Sequence, residues 1–179
     1  MEQFPTKTKR YSLFEFDNLK TKDEMKYELI DGIVFMTPRP NYKHQEVMSN
    51  LLLAIGNYLK GNSCRVFTEA ELEFNNDVLI PDLSVICSLD NTNFQRYKKA
   101  PEIVIEIISP SSQYIDTFTK LIKYESLGVK EYWIAVSKTE SITVYNFKKE
   151  ENNTYSKNEV LKSSVFEDLA INLCDIFEG

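Results

Sequence analysis

The sequence predicts an α/β fold: a mixed β-sheet of about five or six strands flanked by helices, with an N-terminal β-hairpin. Three observations predict it. The run Glu102 to Ser109, Glu-Ile-Val-Ile-Glu-Ile-Ile-Ser, has the β-branched density of a strand deep in a sheet. A helical stretch to Leu127 follows it, then a second apolar strand, Glu131 to Val136. Strand, helix and strand in that order make a parallel crossover unit. Near the N-terminus, Tyr27 to Ile30 and Ile33 to Met36 flank Asp31-Gly32. That dipeptide suits a type I′ turn, whose two central residues both need positive φ.

At 179 residues the chain is expected to form one domain, with a possible N-terminal arm over residues 1–24 and a core at about residues 27–147. Apolar residues make up 42% and charged residues 27%, an ordinary soluble composition. The net charge of −6 argues against broad, non-specific nucleic-acid binding but leaves room for a local basic groove. Cys64, Cys87 and Cys174 are odd in number, far apart and without a Cys-x-x-Cys pair, so they read as reduced thiols. The opening Met1-Glu2-Gln3-Phe4-Pro5 lacks the apolar core of a signal peptide, and no apolar run reaches membrane length. A cytoplasmic protein without a membrane partner is expected.

In chain order, Tyr11 to Leu19 reads as a short helix or arm anchored by Phe14 and Phe16. After the hairpin, Pro38 and Pro40 stop the second strand. From Tyr42 to about Lys60 the period becomes helical, with Val47, Met48, Leu51, Ile55 and Tyr58 on one stripe and Gly61-Asn62 as its stop. Two strands follow, Arg65 to Phe74 and Val78 to Cys87, joined by Asn75-Asn76-Asp77. Ser88 to Ala100 reads as a loop. Ser109 to Ser112 offers a serine N-cap to a helix over 112–127, whose apolar stripe is Ile115, Phe118 and Ile122 and whose stop is Gly128. Ser141 to Phe147 is a further strand, Lys148 to Lys157 a charged turn, and Phe166, Leu173 and Phe177 are closing contacts in the tail.

Two strand acids stand out. Side chains alternate across a strand, so Glu106 shares a face with Glu102, Val104 and Ile108, where it is desolvated unless a cation, a donor or an open cleft receives it. Asp82 breaks the apolar run Val78 to Ile86, although Pro81-Asp82 can also simply shape a strand entry. Two such acids on neighbouring strands would make a site for a hard cation, whose preferred ligands are oxygens.

The ordered set Tyr27-Glu28-Leu29-Ile30-Asp31-Gly32, Pro38 to His44, Pro81-Asp82-Leu83, Ala100-Pro101 through Glu106 to Ser111, Asp116…Lys120…Tyr124, Gly128 and Glu131-Tyr132-Trp133 resembles a known family. It is similar to the Uma-type (Uma-two) family of restriction-endonuclease-like proteins, within the PD-(D/E)XK superfamily. The resemblance covers roughly residues 27–147 and implies a restriction-endonuclease-like fold. It further implies Asp82 and Glu106 as metal ligands. The superfamily's strand lysine, two residues after the acid, is here Ile108; the resemblance points instead to Lys120 on the following helix. Glu28 is implied as a further acid near the metal.

The implied activity is Mg²⁺-dependent hydrolysis of DNA phosphodiester bonds, with Mn²⁺ as a substitute and no organic cofactor. Magnesium binds through one or two carboxylates and keeps waters for substrate phosphate oxygens. A homodimer is expected by analogy, because duplex cleavage is commonly done by two symmetric sites. Other readings stand beside these. Spacing alone puts Lys120 on a solvated helix face with Asp116 and Tyr124. His44, the only histidine, falls on the apolar stripe of its helix, as a core histidine or second as a general base. Glu28 suits a cross-strand surface pair. Arg39, Lys43, Lys60, Lys98 and Lys99 are scattered enough to be plain surface, or else phosphate contacts. At the level of the whole chain, the alternatives are a non-catalytic interaction protein that keeps the fold, and a hydrolase of another phosphoester.

Overall fold

Local chemistry that the sequence displays builds most of the elements in the computed structural model, which describes residues 9–22, 25–38, 40–87, 95–108 and 114–178, with side chains of its third helix from Phe118 onward. The chain divides into two compact units, Met1–Arg39 with Glu71–Ile80 and Phe94–Lys99, and Pro40–Ala70 with Pro81–Asn93 and Ala100–Gly179.

The first unit is a four-stranded sheet in the order β2-β1-β5-β4, from β1 (Met25–Ile30), β2 (Ile33–Pro38), β4 (Leu72–Phe74) and β5 (Asp77–Leu79). Both of its hairpins turn on two residues of positive φ. Asp31 (51°) and Gly32 (77°) join β1 to β2, and Asn75 (47°) and Asn76 (68°) join β4 to β5. The short helix α1 (Leu13–Asp17) is capped by Ser12 and Glu15 in a capping box. It buries Phe16 against Leu29 and Val78, whereas Phe14, expected as a second anchor, is exposed. Arg96, in the segment read as a loop, pairs with Asp17 at 2.7 Å and Glu71 at 2.8 Å.

The second unit holds a six-stranded sheet in the order β10-β9-β8-β7-β6-β3. Its strands are β3 (Arg65–Thr68), β6 (Leu83–Ile86), β7 (Ile103–Ile108), β8 (Glu131–Val136), β9 (Ser141–Asn146) and β10 (Glu151–Ser156). β7 and β8 are the parallel pair, joined by α3 (Tyr114–Ser126) as the crossover helix. The helix α2 (Tyr42–Tyr58), capped by Asn41, sinks Val47, Leu51 and Ile55 into one core with Leu83, Val85, Ile103, Ile105, Ile107, Trp133 and Ala135. Each of the buried Val, Leu and Ile side chains among these contributes about 1.5–3 kcal/mol. The short pair β11 (Val160–Lys162) and β12 (Ala170–Asn172), with α4 (Cys174–Phe177), closes that core through Leu161, Ile171, Leu173 and Phe177. Phe166 is partly buried there, edge-on to Tyr58.

Four expectations need correction. The two long strands read over 65–74 and 78–87 are four short ones, interrupted at Glu69, which has φ 48°, and at Ile80-Pro81. Lys148 to Lys157, read as a turn, contains β10, which pairs antiparallel with β9 from Glu151↔Asn146 to Ser156↔Ser141. Cys64 and Cys87 are not free thiols but a disulfide. The register explains it: β3 and β6 pair Arg65 with Ile86, and one step further out Cys64 faces Cys87. Finally, Phe118 and Ile122 of the apolar stripe read on α3 face outward, 65% and 51% exposed, and the side chain of Ile115 lies outside the described residues. The serine cap of α3 falls at 109–112, outside the described residues.

Candidate active site at the end of β6 and β7

Pairing of β6 with β7 sets the geometry. The ladder runs Val85↔Ile103, Ser84↔Val104, Leu83↔Ile105, so the next register step sets Asp82 opposite Glu106. Directly opposed residues of an antiparallel pair share a face, with Cβ atoms about 4.5–5.5 Å apart. The opposite face, carrying Leu83, Ile105 and Ile107, is the one sealed in the apolar core. Asp82 and Glu106 are therefore neighbours by register, though 24 positions apart in the chain (106 minus 82). Both are buried, at 5% and 8% exposure.

Each carboxylate is held. Asp82 Oδ2 accepts the Ile107 N–H at 2.7 Å and lies 3.0 Å from His44 Nε2. Glu106 Oε1 accepts from the Lys120 ammonium at 3.1 Å and from the Tyr124 hydroxyl at 2.9 Å. Lys120 and Tyr124 are one helical turn apart on α3, so both point down onto the sheet. Tyr124 is fully buried, its ring 5.1 Å from that of Tyr132, which in turn stacks on Tyr145. The inward face of α3 is thus polar and aromatic. A buried carboxylate needs donors, and this requirement outweighs the burial of Phe118 and Ile122.

Asp82, Glu106, Lys120 and His44 come together in the second unit. Tyr124 joins them without having been given a role from sequence; the available signal was its i+4 spacing from Lys120.

The family model for Uma2, described as "Putative restriction endonuclease", matches residues 13–174. The chain belongs to the Uma2 family. Its fold is that of the crystal structure of a putative nuclease belonging to DUF820 from Anabaena variabilis. The TM-score is 0.82 at 22% identity, covering 93% of this chain and 97% of that one. An uncharacterized protein of Synechocystis is 23% identical over 128 residues, 70% of this chain and 67% of the relative. A DrdV–DNA complex is similar only at TM-score 0.39 and 12% identity, too slight a likeness to carry weight. The restriction-endonuclease-like α/β fold expected of a Uma2 protein is the one observed.

The acidic oxygens that this Uma2 protein brings together here are those of Asp82 and Glu106. Among the described residues, no group of three or more His, Cys, Asp and Glu side chains could hold a metal ion. Two opposed carboxylates fit Mg²⁺, which takes one or two and keeps its waters.

Of the remaining candidates, Glu28, Lys43 and Lys98 have other partners. Glu28 lies on β1 in the first unit, buried, with Oε1 accepting the Ile80 N–H at 2.8 Å. Lys43 reaches the Phe177 carbonyl at 2.9 Å and Glu46 at 2.8 Å, and Lys98 pairs with Glu73 at 2.7 Å. Lys60 and Lys99 are exposed. Arg39 and the side chain of Asp116 lie outside the described residues. No described helix is long and apolar enough to cross a membrane.

Glu131, at the start of β8, is a buried carboxylate with a structural part. It accepts from Trp133 Nε1 at 3.0 Å, Ser163 Oγ at 2.9 Å and the Ser164 N–H at 2.6 Å, tying the C-terminal segment to the sheet.

Proposed function

We propose that the chain is a Mg²⁺-dependent endonuclease that hydrolyses DNA phosphodiester bonds at Asp82, Glu106 and Lys120. The observation that carries this reading is the register-opposed pair Asp82 and Glu106 with Lys120 buried against Glu106, in a chain of the family described as "Putative restriction endonuclease". Asp82 and Glu106 would hold the ion. Bound Mg²⁺ supplies a lowered pKa for water and neutralisation of charge on phosphate oxygens. Lys120, fixed by its bond to Glu106, has its ammonium beside that acid, where it would stabilise charge developing on the scissile phosphate. The helix that delivers it also delivers Tyr124, so Glu106 is oriented before substrate arrives, which is the preorganisation such chemistry requires.

The test is incubation with single-stranded, duplex and branched DNA and with RNA, each with Mg²⁺ or Mn²⁺, comparing wild type with Glu106→Ala. Metal-dependent DNA cleavage that disappears in E106A is the expected result. Cleavage that survives in E106A, or no cleavage of any substrate, overturns the reading. The second outcome favours an interaction protein on a nuclease fold, and cleavage of RNA alone would move the substrate class.

A further inference from the structure

We propose that His44 is a positioning residue for Asp82: its neutral ring, protonated at Nε2, fixes the carboxylate's orientation and does not serve as a base toward water. The role rests on the metal reading given above and adds to it a residue and a tautomer.

The placement of His44 is dictated from two sides. Asn41 caps α2 by accepting the His44 N–H at 3.0 Å, and the stripe Val47, Leu51 and Ile55 anchors the same helix face in the core. The ring then has little freedom, and its Nε2 lies 3.0 Å from Asp82 Oδ2. That same oxygen receives the Ile107 N–H at 2.7 Å. Two donors from two different elements on one oxygen fix the plane of the carboxylate as well as its position.

Hydrogen-bond accounting gives the tautomer. An ionised carboxylate only accepts, so Nε2 must carry the proton that makes this bond. Nδ1 is buried and has no hydrogen-bond partner among the described residues. A buried bare lone pair costs less than a buried N–H with no acceptor, so the neutral Nε2–H form is assigned. With Nε2 engaged by Asp82 and Nδ1 shut away from solvent, neither ring nitrogen is placed to take a proton from a nucleophile. Groups that orient a metal-binding side chain typically change metal affinity or activity about 10- to 100-fold when removed.

His44 is the chain's only histidine, so its ring ¹⁵N signals need no assignment by mutation. The expected spectrum of the metal-free wild type has a protonated Nε2 and a bare Nδ1. Alongside it, Mn²⁺ binding followed by water-proton relaxation compares wild type, Asp82→Ala, His44→Leu and His44→Gln. Glutamine can present an amide N–H near the position of Nε2; leucine cannot. The expectation is binding about 10- to 100-fold weaker in H44L and near wild type in H44Q. A protonated Nδ1, or equal affinity in H44L and wild type, overturns the proposal. So does an H44Q that folds yet binds as poorly as H44L. The ring spectrum needs no variant, so a misfolded H44L leaves the test standing. Equal Mn²⁺ binding in wild type and D82A overturns the metal reading and this role with it, and the wild-type spectrum tells that failure apart from a wrong tautomer.

Discussion

Lys120→Met is the substitution that most sharply tests which way α3 faces. In wild type the Lys120 ammonium lies 3.1 Å from Glu106 Oε1, and the two side chains are 5% and 11% exposed. Methionine keeps the length and apolar stem of lysine while deleting the charge. Glu106 then keeps the Tyr124 hydroxyl but loses its ammonium while largely buried. Breaking a buried pair from one side costs about 3–5 kcal/mol, because the surviving charge is left uncompensated. For a chain of this length each kcal/mol lowers Tm by about 2–4 °C, so K120M is expected to melt about 6–20 °C lower. Neutralising both partners, as Glu106→Gln with Lys120→Met, should recover much of the loss, since no charge is then stranded. The assay is urea denaturation followed by circular dichroism, in chelator, with the double-mutant cycle completed by E106Q. A loss below about 1 kcal/mol, the worth of an exposed ion pair, would refute the reasoning and mean that α3 buries Phe118 and Ile122 instead.

Further outcomes follow from the same structure. Glu131→Ala should cost about 3 kcal/mol in denaturant melts, because Trp133 Nε1 and Ser163 Oγ lose their acceptor; a loss under about 1 kcal/mol would count against the tie. The Cys64–Cys87 disulfide spans a sequence separation of 23, so its reduction should lower stability by about 3 kcal/mol; identical melts with and without reductant, with alkylation monitored by mass, would contradict it. The Ser12 backbone N–H, then the Ser12 hydroxyl, hold the Glu15 carboxyl below its ordinary value of 4.5. A folded pKa below the unfolded one gives stability that is present above 4.5 and lost as pH falls through the folded value. The NMR midpoint of Glu15 should thus lie below 4.5 and move back toward it in Ser12→Ala; an unmoved midpoint would remove the hydroxyl's part.

What the sequence by itself determined is what short-range chemistry controls. Asp31-Gly32 and Asn75-Asn76 place positive φ where two-residue turns need it, and the alternation around Glu106 assigns that acid to the face away from Ile105 and Ile107. The 3.6-residue period of α2 buries the stripe Val47, Leu51 and Ile55 that it displays. The same period misled on α3. Amphipathicity tells which two faces a helix has, and burial usually takes the apolar one. Here the sheet surface beneath α3 carries Glu106, so Lys120 and Tyr124 turn inward and Phe118 and Ile122 outward. Only tertiary structure decided this, and it likewise decided the pairing of Cys64 with Cys87, the meeting of His44 with Asp82, and the opposition of Asp82 to Glu106. Each of these depends on strand register and helix docking between segments far apart in the chain, where local periodicity has no reach and the cost of burying a charge without a partner selects the arrangement.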